Sequence, residues 1–504
     1  MRHYVGRIRV LTSLVVLAVL IIAGRLYVLQ IMEGDSYARR ADAQFIATQD
    51  PLLDRGSIYF TDKDGNQITA ATLEPVASST GDHQRYYPGG SLAAQEIGFV
   101  AYNNDNTQKG RYGLERYYDE VLSRGGDTYA NFFVQLFGGI KTALEGGQGS
   151  GDLITTLEPT AQAELERTLA DYTTAWHPEL SGGIVMDPKT GEIVAMAVSP
   201  TFDLNSFNTQ TDPLVYANPM VEDVFEMGSI MKPITMASGL DSGAVTPDTT
   251  YDDTGCITVD TKQICNYDLK ARGVIPMQQV LSQSLNVGAS FVATTMGQAT
   301  MRDYFLNHFK LGDETGIDLP GEVHGLASNL NGTRQVGYDT ASFGQGIAVT
   351  PIEMVRALAV IANGGYLVTP HLGKAIAYDT GVTRALGWGE PQQVLKPETA
   401  VEMSRMLTTV VDQALANGKD KLEHYSVAAK PGTAQSANPA GGGYYTDRYL
   451  HSFFGYFPSF DARFVVFLFS VYPKGAPYAS TTWAPPFHAL TQFLINYYNI
   501  PPDR

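Results

Sequence analysis

Ser229 and Lys232 stand three residues apart in the segment EMGSIMKP, between Gly228 and Pro233. On a helix that spacing puts both side chains on one face, within reach of each other. A serine hydroxyl is a weak nucleophile until a base removes its proton, and a neutral lysine amine is such a base. Neutrality requires the amine's pKa to fall from ~10.4, which burial or a second nearby cation achieves. Gly228 lets the chain bend into a helix, and Pro233 is tolerated in a first turn, where its missing N–H costs nothing. Ser229 is therefore expected at a helix N-terminus, where the local field favours developing negative charge. The same residues also fit an ordinary helix start with a solvated lysine. Chemistry needs more: a second polar proton relay, a cation for substrate charge and an oxyanion hole.

Candidates for those parts occur further along. SQSLNVGAS offers Ser284 and Asn286, and AAKPGTAQ offers Lys430, Gly432 and Thr433. Ser-x-Asn also occurs at Ser206 with Asn208 and at Ser436 with Asn438. Lys-Thr-Gly occurs literally at Lys189 to Gly191, in a turn signal between two apolar runs that accounts for it without catalysis.

The elements that must position these residues can be read from periodicity. Pro159 to Trp176 reads as a long helix, and Gly182 to Ala197 as a hairpin turning at Pro-Lys-Thr-Gly. Near the C-terminus, His451 to Pro458 and Ala462 to Tyr472 are almost continuously apolar, which implies strands covered on both faces. Phe487 to Asn499 reads as a closing helix. Helix, two strands, a long helical insertion, more strands and a last helix predict an α+β architecture with an antiparallel sheet between helices. In the front half, Arg55 to Thr69 reads as strand, turn, strand, and Arg111 to Leu122 as an amphipathic helix. The stretch DKDGN at 62–66 has its glycine fourth rather than sixth, and no distal glutamate closes it, so it reads as a turn and not a calcium loop. The glycine-dense LEGGQGSGD, Leu144 to Asp152, marks a domain boundary.

Length and composition narrow the classes. A chain of 504 residues buries a core easily and suggests two or three domains. A formal net charge of −17 argues against a nucleic-acid binder, which needs a basic face. Val10 to Gly24 carries no charge, and Leu26 to Met32 continues the apolar run past Arg25. With Arg25 snorkelling outward, residues 10–32 suffice for a hydrocarbon core of ~30 Å. Arg2, Arg7 and Arg9 precede the run, so the positive-inside rule keeps the N-terminus cytoplasmic and the rest of the chain outside the membrane. Ile21 sits where a cleavage site wants a small residue ahead of Ala23, which favours an uncleaved anchor over a signal peptide. The two cysteines, Cys256 and Cys265, face each other if GCITVDTKQIC is a hairpin turning at Asp260 and Thr261. A disulfide and a pair of small buried thiols both fit, while two ligands without nearby histidines are too few for a metal site.

The order GSIMKP, SQSLN, AAKPGTA resembles the transpeptidase domain of the penicillin-binding proteins, whose members carry Ser-x-x-Lys, Ser-x-Asn and Lys-Thr-Gly in that order. Leu311 to Glu322, Thr340 to Gly365 and GDLITTLEPTAQ at 151–162 resemble further segments of that domain. DRGSIYFTDKDGN and GRYGLERYYDEVL resemble the N-terminal pedestal of the monofunctional, class B members. The resemblance implies a penicillin-binding/β-lactamase-like transpeptidase domain at 151–504, a pedestal at 33–150, one transmembrane helix at 10–32 and a short cytoplasmic tail at 1–9. It implies that Ser229 is acylated by a stem peptide ending in D-Ala-D-Ala, with Lys232 as its base. Ser284 would relay a proton to the leaving D-alanine. Asn286 would bind the peptide amide, and Lys430 would supply positive potential. The backbone N–H groups of Ser229 and Thr433 would form the oxyanion hole, and the Thr433 hydroxyl would take the substrate carboxylate beside Gly432. An amine from a neighbouring stem would resolve the acyl-enzyme, β-lactams would trap it, and no metal or cofactor is called for. A membrane glycosyltransferase of the SEDS class is the implied partner, since residues 33–150 are too few for a glycosyltransferase domain.

One residue departs from the pattern: Pro431 stands where the family has threonine or serine. Proline belongs on an edge strand, and its missing N–H would face the same edge as that of Thr433. Two other readings share the chemistry or the fold: a D,D-carboxypeptidase, in which water resolves the ester, and a non-catalytic scaffold or β-lactam sensor.

Overall fold

The computed structural model describes residues 55–75, 83–102, 108–123, 150–379, 381–437 and 443–504. The expected anchor at 10–32 and most of the glycine-dense boundary lie outside those residues. Among the described residues, no helix is long and apolar enough to cross a membrane.

In chain order, the front half supplies β1 (Ile58–Thr61), β2 (Gln67–Pro75), β3 (His83–Tyr86) and the short helix α1 (Gly113–Tyr117). There follow β4 (Gly151–Thr155), α2 (Pro159–Trp176), β5 (Leu180–Met186) and β6 (Ile193–Ser199). The helical insertion includes α3 (Lys232–Asp241), the hairpin of β7 (Cys256–Val259) and β8 (Lys262–Cys265), α4 (Asn286–Met296), α5 (Gln335–Ala341) and α6 (Pro351–Ala362). The chain ends with β9 (Gly373–Tyr378), β10 (Thr383–Ala385), α7 (Pro397–Thr409), β11 (Ala428–Ala437), β12 (Tyr444–Phe457), β13 (Phe464–Val471), α8 (Ala479–Thr482) and α9 (Ala484–Tyr497). The expected long helix, the hairpin around Lys189 and the closing helix all form.

Five strands make one antiparallel sheet in the order β11-β12-β13-β5-β6. The unbroken apolar run in β13 is explained by what covers it. Phe464, Val466 and Leu468 join a cluster with Leu165 and Leu169 of α2 and Leu490 and Leu494 of α9. Val465, Phe467 and Phe469 point the other way, into a second cluster with Ile234 of α3, Val292 of α4 and Leu358 of α6. Alternate side chains of Phe464 to Phe469 thus feed two cores, and neither face is left to solvent. β11 lies at the sheet edge, and this sets the site described below.

A second sheet, in the order β10-β9-β4-β1-β2-β3, draws strands from both sides of residue 150. β4 runs parallel to β1, with Ile58 beside Leu153, and antiparallel to β9. Sequence reading gave the β1–β2 hairpin but not this sheet, because such pairing is non-local. The DKDGN segment is a turn: the Asp62 carboxylate accepts the N–H groups of Asp64 and Asn66 at 2.9 and 2.7 Å.

The front half is knotted by charge. Glu115 of α1, fully buried, accepts Arg55 Nε at 2.7 Å and Arg85 Nε at 2.6 Å. Both guanidinium groups are themselves buried, so the carboxylate is their main compensation, aided at Arg55 by Asp119 at 2.8 Å. Glu115→Ala strips that compensation and is expected to cost about 3–5 kcal/mol of unfolding free energy. Denaturant unfolding checks this, and an unchanged midpoint would remove the knot from the account of stability.

Candidate active site

Gly228–Met231 forms a single 3-10 turn, and α3 begins at Lys232 with Pro233 in its first turn. Ser229 therefore lies one turn ahead of the α-helix. A 3-10 turn eclipses residues three apart, so Ser229 and Lys232 stack one above the other. Lys232 Nζ reaches Ser229 Oγ at 2.9 Å.

The turn is pressed against the edge strand. Gly228 has φ +62°, and a Cβ there would come within 2.8 Å of the Thr433 carbonyl oxygen. A Cβ on Gly432 would lie 2.3 Å from Ser452 Oγ and 3.0 Å from the Ile230 nitrogen. Glycine at both positions lets the backbone of β11 lie directly on the turn. Ser452 of β12 fastens the contact by donating to the Met227 carbonyl at 2.9 Å. Sequence reading passed over Ser452, although a lone hydroxyl in an apolar run was a usable signal.

Ser284 and Asn286 arrive from the insertion. Ser284 has φ +55°, so the chain reverses there before Asn286 opens α4. Lys232 Nζ lies 2.7 Å from the Ser284 carbonyl, 2.8 Å from Asn286 Oδ1 and 3.2 Å from Ser284 Oγ. Lys430 Nζ donates to Ser284 Oγ at 2.9 Å and to the Pro431 carbonyl at 3.0 Å. One hydroxyl thus sits between two amines that come from distant parts of the chain.

Both amines are taken out of water: Lys232 and Lys430 are each 1 % exposed. Burial holds the Lys232 amine well below the ordinary lysine range, and the nearby Lys430 adds to the effect. Burial pushes Lys430 down to about 7. The hydrogen-bond inventory is compatible with such an amine. The Ser284 carbonyl and Asn286 Oδ1 can only accept, and a neutral amine has two hydrogens for them. Its single lone pair is then left for one hydroxyl proton, that of Ser229 at 2.9 Å.

Ser229, Ser284, Asn286, Lys430 and Thr433 line one cleft of about 830 Å³. Thr433 Oγ1 accepts the Ala479 N–H at the start of α8 at 3.0 Å, which leaves its own proton free to donate. Pro431 also lines the cleft, opposite Phe453 of β12. The alternative sets do not converge here. Lys189 sits in the β5–β6 turn, where its amine pairs with Asp461. Ser206 lies in the short helical segment Leu204–Thr209, and Asn438 falls outside the described residues.

Cys256 and Cys265 are joined by a disulfide and sit directly opposite in the hairpin. Asp260 and Thr261, with φ +46° and +70°, form its two-residue turn. Asp-Thr is a poor sequence for such a turn, yet both residues take the left-handed conformation it needs. Sequence reading missed that the Cys265 carbonyl accepts from Asn286 Nδ2, at 2.9 Å.

Residues 182–492 match the family model described as the penicillin binding protein transpeptidase domain. The chain is 30% identical to penicillin-binding protein PbpB of Mycolicibacterium smegmatis over 443 residues, covering 85% of this chain and 67% of that protein. It is 27% identical to peptidoglycan D,D-transpeptidase FtsI of Escherichia coli over 427 residues, covering 84% and 68%. It spans about two thirds of the length of the curated relatives it matches. The fold is similar to the crystal structure of penicillin binding protein 3 from Mycobacterium tuberculosis, with a TM-score of 0.77, 27% identity, and coverage of 90% of this chain and 98% of that one. The same protein has also been solved in complex with aztreonam and with ampicillin.

A buried lysine with a depressed pKa destabilises the fold over a definite pH window. Between about 7 for folded Lys430 and ~10.4 for the unfolded chain, the unfolded state binds more protons, so stability rises with pH. The cost is full below that window and gone above it. Lys430→Met is therefore expected to stabilise the protein by about 1–3 kcal/mol near pH 7, with the gain shrinking towards pH 10. Urea unfolding of both proteins at several pH values checks this; a gain independent of pH would contradict it.

Proposed function

This chain belongs to the penicillin-binding protein transpeptidase family, and we propose that it is a class B peptidoglycan D,D-transpeptidase acting through an acyl-enzyme on Ser229. The observation that carries the assignment of roles is the meeting of the Ser229 hydroxyl with two buried amines around Ser284 Oγ. A donor stem peptide ending in D-Ala-D-Ala lies along the cleft. Its terminal carboxylate accepts a hydrogen bond from the Thr433 hydroxyl and feels the positive potential of Lys430. Ser229 Oγ attacks the carbonyl of the penultimate D-alanine as its proton passes to Lys232 Nζ. The oxyanion forms against the N–H groups of Ser229 and Thr433, which the contact of Gly228 with β11 keeps adjacent. The C–N bond then breaks. The leaving nitrogen takes a proton from Ser284 Oγ, which the flanking lysines replenish, and D-alanine departs. An amine from a second stem attacks the ester and gives a proton to Lys232; the C–Oγ bond breaks, Lys232 returns a proton to Ser229 Oγ, and the free serine is restored with the cross-link made.

A β-lactam follows the first half of this path. Its amide nitrogen stays tethered after the ring opens, so the serine ester persists. The complexes of the Mycobacterium tuberculosis relative with aztreonam and ampicillin support such binding here.

The reading extends to placement in the cell. Residues 10–32 are a single membrane anchor with residues 1–9 in the cytoplasm, and the pedestal (33–150) and transpeptidase domain (151–504) outside. The charge-free run and the arginines ahead of it support this, and the Cys256–Cys265 disulfide fits an oxidising compartment. Polymerisation of the glycan strand falls to a SEDS-class membrane glycosyltransferase, met through the anchor and pedestal.

Two measurements test the assignment. A fluorescent penicillin should label the wild type and not Ser229→Ala, while Lys232→Ala should slow acylation about a hundredfold or more. Label retained by Ser229→Ala would end the nucleophile assignment, and product analysis with and without an acceptor amine separates transfer from hydrolysis. Separately, Pro431→Thr restores a hydroxyl beside Thr433 and should speed acylation by about two- to tenfold. An unchanged rate would show that position 431 takes no part in carboxylate recognition.

A further inference from the structure

The β7–β8 hairpin is a two-stranded sheet of its own, with four residues in each strand. Such a hairpin is only marginally stable in water. The disulfide closes its open end, and Cys265, Asn266 and Tyr267 at that end line the active-site cleft. The Cys265 carbonyl accepts Asn286 Nδ2 at 2.9 Å, and Asn286 Oδ1 accepts Lys232 Nζ at 2.8 Å. The next residue, Asn266, is buried and accepts the Val287 N–H at 3.2 Å in the first turn of α4. Asn266 is itself held by the buried Asp253 carboxylate at 2.9 and 3.0 Å. Both residues at the hairpin exit therefore grip the start of α4.

The Asn286 amide has a donor end and an acceptor end. Turned over, it would point Nδ2 at the lysine and its oxygen at a carbonyl oxygen, and both contacts would be lost. The Cys265 carbonyl selects the orientation that offers Lys232 an acceptor. The position of that carbonyl depends on strand β8, which is tied down at this residue by the disulfide.

We propose that the disulfide-closed hairpin is a positioning device for Asn286: it holds the Cys265 carbonyl where it fixes the amide against Lys232, so acylation competence depends on the oxidised cysteine pair. The inference rests on the transpeptidase reading above. The cysteines are positioning residues and do not enter the chemistry. Opening the bond takes two electrons and two protons from a dithiol, which leaves as its own disulfide. The two thiols then no longer hold the strand ends together.

The test is a cycle of acylation rates with a fluorescent penicillin, using wild type, Cys256→Ser/Cys265→Ser, Asn286→Ala and the combined variant. The cysteine change should slow acylation about five- to tenfold in the wild type and leave the rate of Asn286→Ala unaltered. Equal slowing in both backgrounds would overturn the proposal, since a general support role does not pass through Asn286. In case the variant fails to fold, the wild type can be reduced with dithiothreitol and reoxidised, and the rate should fall and return. An unchanged rate, with both thiols shown free by alkylation, overturns the proposal as well. Failure of the underlying reading looks different: label persists in Ser229→Ala whatever the cysteines do. Absence of any acylation of the wild type overturns both.

Discussion

Two lysine amines buried beside one serine hydroxyl are a costly arrangement, and the surrounding structure holds them there. Lysine buries at a cost because its charged form is solvated far better by water than by protein. Lys232 and Lys430 are nearly inaccessible, and the cost appears as amines shifted towards neutrality. That shift turns an ordinary cation into a base. The neighbours of Lys232 come from two separate stretches: the 3-10 turn, and the segment that reverses at Ser284 and opens α4 at Asn286. Lys430 comes from a third, the edge strand β11. Each must be placed to within hydrogen-bond tolerance, so the site cannot outlast small relative movements of these elements.

The rigidity comes from where the elements are rooted. β11 is the edge of a sheet whose middle strands feed two apolar clusters, and α3 and α4 belong to the cluster on the site-facing side. The turn carrying Ser229 touches β11 with no side chain between them, because Gly228 and Gly432 have none to interpose. A backbone-to-backbone contact has fewer soft degrees of freedom than one made through long side chains. Sheet order is thus passed to the nucleophile almost without loss.

Much of this was legible in the residues, and what was hidden is hidden for a physical reason. The apolar runs of β12 and β13 announced strands covered on both faces, and the interval between Ser229 and Lys232 announced a shared helical face. The order of the three motifs separated the converging set from Lys189 and Ser206, whose local patterns are just as good. Nothing local revealed that Ser284 adopts a left-handed backbone, since that conformation is imposed by the loop's attachment to Lys232 and α4. The sheet uniting β4 with β1 and β9 escaped for a similar reason, because partner choice between distant strands leaves no periodic trace. The contact from Cys265 to Asn286 is carried by a main-chain carbonyl, and main-chain groups have no signature in a sequence.

Pro431 shows how far the sheet edge constrains the chemistry. A proline inside a sheet would remove a ladder bond, but on β11 one edge of the strand meets no further strand, so the loss is borne without rearrangement. The missing side-chain hydroxyl is a different matter, because it leaves Thr433 as the hydroxyl of this motif turned towards the cleft. That hydroxyl is already oriented: Ala479 donates its N–H to the oxygen, so the remaining proton points away from α8. A donor held in one direction binds a carboxylate with less ordering cost than a free rotor. The Pro431 carbonyl meanwhile still anchors Lys430, a role any residue type can fill from its main chain. The proline therefore removes one side-chain hydroxyl from the cleft while sparing the electrostatic framework, which is what an edge position permits and a central strand would not.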